Sequence, residues 1–294
     1  MQVKKQLLIV MLLLVGSFII IGCNNSSTAT SKTDGDDSKK EKINVIVSIL
    51  PQADFVQMIG GELVDVIVML PPGASPDSYE PLPGDLKNVS KADLYIKIGH
   101  LPFEEAWMDR ILAANEKLLV VDSSEGIEII DHDPHTWLSP RLVKKQVETI
   151  CQAFIQVDKN NQDYYLANLE KTKANLDSMD KKIQAKLSDL ESNTFLVYHP
   201  AWGYFARDYG LKEMAIEEHG KEPGPAEMAH IIATAKKNGI KTVFASPQHS
   251  IRSAEAIAAE LGARVVTIDP LPSNYDDILN SAGLISKALG DNNE

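Results

Sequence analysis

Residues 226–270, AEMAHIIATAKKNGIKTVFASPQHSIRSAEAIAAELGARVVTIDP, decide the fold class. Residues 226–238 have the spacing of an amphipathic helix, and 242–245 (TVFA) form a short apolar run. Residues 254–261 are helix-like again, and 265–268 (VVTI) form a second apolar run rich in β-branched side chains. Strands that are apolar throughout, rather than alternating, and that are separated by helices predict a parallel sheet covered on both faces. The order helix, strand, helix, strand is that of a doubly wound α/β sheet.

The same alternation continues outward from this stretch. Strand-like runs at 43–48, 63–70, 94–98, 118–121 and 194–198 are separated by helix-like segments at 54–59, 103–115 and 141–157, the first stopped by Gly60-Gly61. Within 161–190, Leu169, Leu176, Met179, Ile183, Leu187 and Leu190 recur at steps of three and four, with a longer gap at 171–173. This predicts one amphipathic helix of roughly 30 residues, about 45 Å long. Such a length favours a strut between two strand–helix groups over an ordinary surface helix. The expected architecture is therefore two doubly wound α/β lobes with parallel sheets, residues 42–160 and 191–294, joined by a linking helix over 161–190.

The N-terminus sets location. Lys4 and Lys5 precede a run of apolar and small residues from Leu7 to Ile21, bounded by Gly22-Cys23 and a polar stretch. A positive start, a short apolar core and a small residue before the cut describe a secretory signal over residues 1–22. About 15 apolar residues is short for a membrane span, which needs about 20. Residues 24–41 (NNSSTATSKTDGDDSKKE) hold no large apolar side chain and cannot build a core. As a flexible coil they span roughly 25 Å, so 23–41 reads as a tether.

The 294-residue chain has two cysteines, Cys23 and Cys151. With Cys23 at the signal boundary no disulfide partner remains, and Cys151, at helical spacing with Val147 and Phe154, reads as a small buried hydrophobe. Of 29 basic residues, Lys4 and Lys5 fall in the leader, so 27 face 41 acidic ones, a net of −14. That surface argues against nucleic acid and against adhesion to anionic lipid.

In doubly wound sheets ligands bind beyond the carboxyl ends of strands. Run 94–98 leads to Gly99-His100, 194–198 ends at His199, and 265–268 ends at Asp269. Run 63–70 enters Pro71-Pro72-Gly73-Ala74-Ser75-Pro76-Asp77, a stiff loop carrying a carboxylate, and Asp131-His132-Asp133-Pro134-His135 precedes the helix at 141. A lone strand-end histidine is commonly a structural hydrogen-bonding residue, and Asp77 has a plain reading as a turn cap. Several imidazoles and carboxylates on one edge are instead the donor set of a divalent transition metal. His219, His230 and His249 show no such convergence in the sequence, and His132 reads as surface.

Four segments, PPGASPDSYEPLPGD, DPHTWLSP, YHPAWGYFARDYGL and TIDPL, resemble in order those of the cluster A-I solute-binding proteins, the zinc and manganese receptors of ABC importers. The resemblance runs from about Ile43 to the C-terminus. It implies two lobes, a rigid linking helix and a metal in the cleft between them. It also implies the metal ligands His135, His199 and Asp269. The family's usual first ligand is a histidine in P-H-x-Y-E-P, and here that position is Asp77. Two repairs of the ligand set are open: Asp77 coordinates directly, or His100 swings in. The tetrad Ile20-Ile21-Gly22-Cys23 likewise resembles the bacterial lipobox, which implies lipid on Cys23 and anchoring at the outer face of the cell membrane.

Zinc accepts four nitrogen and oxygen donors in a tetrahedron, whereas manganese and ferrous iron prefer more oxygen donors. A site with His100 favours zinc, and one with Asp77 shifts toward manganese or iron. Zn2+ as cargo is the expectation on affinity order, with Mn2+ or Fe2+ the runner-up. The expected partners are an ABC importer permease and the lipid anchor, and the chain is expected to act as a monomer. No H-E-x-x-H, G-x-S-x-G or G-x-x-x-x-G-K motif is present, so a zinc-dependent hydrolase is the weaker alternative and catalysis is not expected. A surface adhesin is the other competing class. Glu217 and Glu218 are conceivable general bases that nothing in the sequence ties to the cleft.

Overall fold

The computed structural model describes residues 42–217 and 221–290. Cys23, the signal, the whole of the tether, Glu218 and His219 lie outside the described residues. None of the described helices is long and apolar enough to cross a membrane.

Four parallel strands form the first sheet: β1 (Ile43–Val47), β2 (Val64–Val68), β3 (Leu94–Lys97) and β4 (Leu119–Asp122), in the order β2-β1-β3-β4. Around and after it lie α1 (Leu50–Gly60), α2 (Pro83–Val89), α3 (Pro102–Ala114), α4 (Pro140–Val157) and α5 (Gln162–Lys186). The second sheet repeats that order, β6-β5-β7-β8, with β5 (Thr194–Val197), β6 (Lys212–Ala215), β7 (Thr242–Ala245) and β8 (Arg264–Thr267), again all parallel. Its helices are α6 (Gly203–Asp208), α7 (Pro225–Lys237), α8 (Ile251–Leu261) and α9 (Ile278–Gly290). The doubly wound, two-lobed reading of the sequence holds. Beyond the seven expected strands there is an eighth, β6, whose sequence KEMA carries no apolar run to announce it.

The long helix α5 has 25 residues, about 37 Å at 1.5 Å each, shorter at its C-terminal end than the periodicity suggested. Leucines continue to Leu190, but the Leu187 amide donates to both Ile183 and Gln184, tightening the last turn. Beyond it the Ser188 hydroxyl bonds back to the Ala185 carbonyl, the local competition with helix at which serine excels. The gap in the apolar stripe at 171–173 is filled by Thr172, which is buried with Leu169, Leu176, Met179 and Ile183. The polar side of α5 is paired to α4 through Arg141–Asp180, Lys144–Asp177 and Lys173–Glu148.

The two sheets share one apolar cluster. Phe55, Trp137 and Phe154 from the first half belong to it together with Phe195, Phe244 and Tyr275 from the second. Tyr275 packs edge-on to Phe55 with ring centroids 4.9 Å apart, and its amide donates to the Asp54 carboxylate at 2.7 Å. The buried indole N–H of Trp137 donates to the Pro270 carbonyl at 2.7 Å. A second core, around Leu196, Ile232, Val243 and Ile257, belongs to the second sheet alone. Cys151 is fully buried, and burial pushes its thiol up to about 11, as suits a packing residue.

Candidate metal centre

In the second sheet the topological switch lies between neighbouring strands β5 and β7, because the chain steps outward to β6 from one and to β8 from the other. His199 follows β5 by two residues, and His249 follows β7 by four, in the turn Ser246-Pro247-Gln248-His249. Their imidazoles lie parallel and stacked, centroids 4.1 Å apart at 17°.

The first lobe supplies the facing groups. Asp77 sits in the proline-rich loop between β2 and α2, where its amide donates to the Ser75 hydroxyl. The Tyr79 hydroxyl ties that loop to the Met69 carbonyl and the Asp85 carboxylate. Asp77 Oδ2 stands 3.7 Å from His199 Nε2 and 3.9 Å from His249 Nε2. His135 is presented by a turn in which Asp131 and His132 both have positive φ, a conformation Asp and His tolerate better than most residues. The next turn is rigid: Pro134 precedes it and Ser139 caps α4, accepting from the Leu142 amide. The His135 ring meets that of His199 at 5.4 Å and 74°.

Each imidazole has its Nδ1 engaged. His135 Nδ1 bonds Asp133 at 2.6 Å, His199 Nδ1 bonds Glu217 at 3.0 Å, and His249 Nδ1 bonds the Ser246 hydroxyl at 2.7 Å. A partner on one ring nitrogen fixes the ring and leaves Nε2 to coordinate, the usual support of a metal-ligating histidine. The donor atoms of Asp77, His199 and His249 all lie within 4.8 Å of one another. Tetrahedral donors about 2.1 Å from zinc stand roughly 3.4 Å apart, so a slight contraction closes this set on an ion.

The charge balance suits a cation. Neighbouring imidazoles hold the Asp77 carboxyl below its ordinary range against the opposing effect of burial; His249 contributes most, followed by charge from His199 and His135. At 3.9 Å the His249 contact is an ion-pair distance rather than a close hydrogen bond. Glu213, on β6, accepts the Ala201 and Trp202 amides, and burial pushes its carboxyl up to about 7.

His100 lines the same cavity of about 1100 Å³ as Asp77, His135 and His199; His100, His135 and Asp269 all lie outside the close group of Asp77, His199 and His249. Its loop is held by buried Glu104, which accepts the amides of Ile98, Gly99 and Leu101. His132 lines the cavity too. Asp269, one residue past the end of the expected strand, accepts at its Oδ1 from Gln248 Nε2 at 2.9 Å and from the Leu271 amide at 2.8 Å. His230 is exposed on α7.

Two residues depart from the sequence expectation. His249, read there as having no convergence, stands in the donor group; the signal was its place just past the apolar run 242–245. Glu217, read as untied to the cleft, is 9% exposed and bonded to His199.

The model of the family described as "ZnuA: Zinc-uptake complex component A periplasmic" matches residues 45–281. The chain belongs to this family. The high-affinity zinc uptake system protein ZnuA of Bacillus subtilis is 28% identical over 262 residues, 80% of each chain. A crystal structure of ZnuA superimposes with a TM-score of 0.82 at 40% identity, covering 84% of this chain and 99% of that one. The laminin-binding protein of Streptococcus agalactiae, described as bifunctional with adhesin and metal transporting activity, gives 0.79 at 27% identity, covering 85% and 100%. This is the cluster A-I class of metal-binding solute-binding proteins of ABC importers that the four segments resembled, a receptor family that its description places in the periplasm.

Proposed function

We propose that this chain captures Zn2+ outside the cytoplasm and hands it to the permease of an ABC importer, as a monomer held at the membrane by lipid on Cys23. One observation carries the reading: Asp77 and His135 of one lobe meet His199 of the other, with imidazoles pinned through Nδ1 and a carboxylate held ionised. We take Asp77, His135 and His199 as ligands, with His100 on the cavity wall. A metal bridging the two sides of the cleft binds the arrangement with a loop closed on it better than an open one, which is the differential affinity a conformational signal requires. With the lobes fused through α5 and the shared core, the loop carrying Asp77 is the part that closes. The permease then reads the loaded face.

Binding rather than catalysis follows from how the acidic groups are used. Glu217 and Asp133 are spent orienting His199 and His135, and Glu213 on two backbone amides. Each is thus already engaged as a hydrogen-bond acceptor, not standing free as a general base. Asp77 adds an oxygen donor that tolerates Mn2+ or Fe2+, but affinity order still favours zinc.

Purified from cells without added metal, the chain should carry close to one zinc per molecule by elemental analysis. A preparation without transition metal, and unable to take any up, sinks the reading and leaves a pure adhesin standing. Mass spectrometry of membrane fractions should find diacylglycerol on Cys23. A freely secreted chain with its N-terminus elsewhere would overturn the anchor.

A further inference from the structure

We propose that His249 is itself a zinc ligand, and that the bond from Gln248 to Asp269 holds the turn that presents it. The inference rests on the zinc reading above and names a donor that neither the four family-like segments nor the strand-end residues of the sequence supplied.

The loop Ser246-Pro247-Gln248-His249 leaves β7 at the topological switch. Pro247 stiffens it, and the His249 amide donates to the Ser246 carbonyl at 3.2 Å. Immediately after it, Ser250 caps α8 by accepting the Ser253 amide. The imidazole is thus fixed at both ends of a four-residue turn, with Nδ1 on the Ser246 hydroxyl. That leaves Nε2 facing Asp77 Oδ2 at 3.9 Å, beside the His199 ring. A histidine stacked on another only for packing has no need of a carboxylate opposite its second nitrogen. Here the same Asp77 oxygen serves both rings. With Asp77 standing where the family pattern has histidine, His249 restores a third imidazole beside His135 and His199. The resulting set is two donors from each lobe, three nitrogens and one oxygen, a common zinc complement.

Asp269 then has a defined part. Its Oδ1 receives both Gln248 Nε2 and the Leu271 amide, so it joins the end of β8 to the turn carrying His249. It acts through its neighbour as a positioning residue.

Competition of the full chain against a chelating dye, with zinc alone as probe, tests this. His249→Phe keeps a flat ring stacked on His199 and removes the nitrogen. It should weaken zinc by more than 100-fold, since loss of a residue that merely supports a ligand already costs about 10–100-fold. Affinity within a few-fold of the unmodified chain would show that His249 only packs, and would overturn the proposal while leaving zinc capture intact. An unmodified chain that binds no zinc would overturn both. In case the variant folds poorly, the His249 Nε2 resonance of the 15N-labelled unmodified chain should move to the metal-bound range on adding zinc; an unmoved resonance is equally fatal. Asp269→Ala in the His249→Phe background should add little to the loss. Full additivity would make Asp269 an independent ligand and overturn its positioning role.

Discussion

Zinc in excess should raise the melting temperature of the purified chain by about 10 °C at neutral pH, and by far less under acid conditions. A ligand at 1,000 times its dissociation constant that binds only the folded state adds about 4 kcal/mol. In a domain of roughly 250 residues each kcal/mol is worth about 2–4 °C. The linkage is strong because the proposed donors come from both lobes and meet only in the folded chain. The pH dependence has two separate windows. Zinc needs neutral imidazoles, so as pH falls protons compete for His135, His199 and His249 and the zinc increment shrinks. The Asp77 carboxyl, by contrast, is held below its ordinary range in the fold by the imidazoles around it. Its own contribution to stability is present above the unfolded carboxylate value and is lost only as pH drops through the lower folded value. In the metal-free protein the share of stability that Asp77 contributes should therefore persist to lower pH than the zinc increment does. A melting temperature indifferent to zinc at neutral pH removes the metal site. Loss of the increment only together with the fold removes the imidazoles from it.

The class of fold was legible because buried parallel strands must be apolar on both faces, and runs such as TVFA and INVIV have no other comfortable place. Where that signal failed, the site reading failed with it. β6 reads KEMA, too polar and short to be seen as a strand, so Glu217, two residues past its end, never entered the set of strand-end groups. Yet it is the carboxylate that orients His199. The helix α9 went unread as well, and with it Tyr275 and Ile278, which lie just before and at its start and tie the second half of the chain to the first. His249 is a different case. Its strand was read correctly, but the residue lies four positions beyond, past a proline, and nothing local shows that the turn brings it back over His199. That placement depends on β5 and β7 being neighbours, a fact of strand order that the hydrophobic pattern does not encode. Asp77, His135 and His199 were legible because each sits in a segment whose chemistry is unusual for its local role. Such a segment can be recognised without knowing what it faces.

Asp77→Ala should cost most of the zinc affinity, while His100→Ala should change it little. Both side chains line the cavity, so proximity alone does not separate them. Reach and charge do. Asp77 Oδ2 is already within 4 Å of two imidazole nitrogens, and its ionised state is fixed by their presence. Like His135, His100 is outside the group of Asp77, His199 and His249, but His135 packs its ring on that of His199 at 5.4 Å, whereas the loop of His100 is fastened through three amides to buried Glu104. Moving the His100 backbone toward the metal means pulling against the three amide bonds that its neighbours Ile98, Gly99 and Leu101 make to buried Glu104. A metal that already has Asp77 gains too little to offset that. Asp77→Ala removes the carboxylate that stands opposite Nε2 of both His199 and His249, leaving Glu217, 3.9 Å from His249 Nε2 and already bonded to His199 Nδ1, as the nearest remaining negative charge. Asp77→His should retain zinc and lose manganese, because it exchanges the oxygen donor that manganese prefers for a nitrogen. Competitive titration of zinc and manganese against the three variants measures all of this together. If His100→Ala lost as much zinc affinity as Asp77→Ala, the fourth donor would be His100 after all. Asp77 would then be a loop residue whose hydrogen bonding with Ser75 is its whole contribution, on the order of 1 kcal/mol.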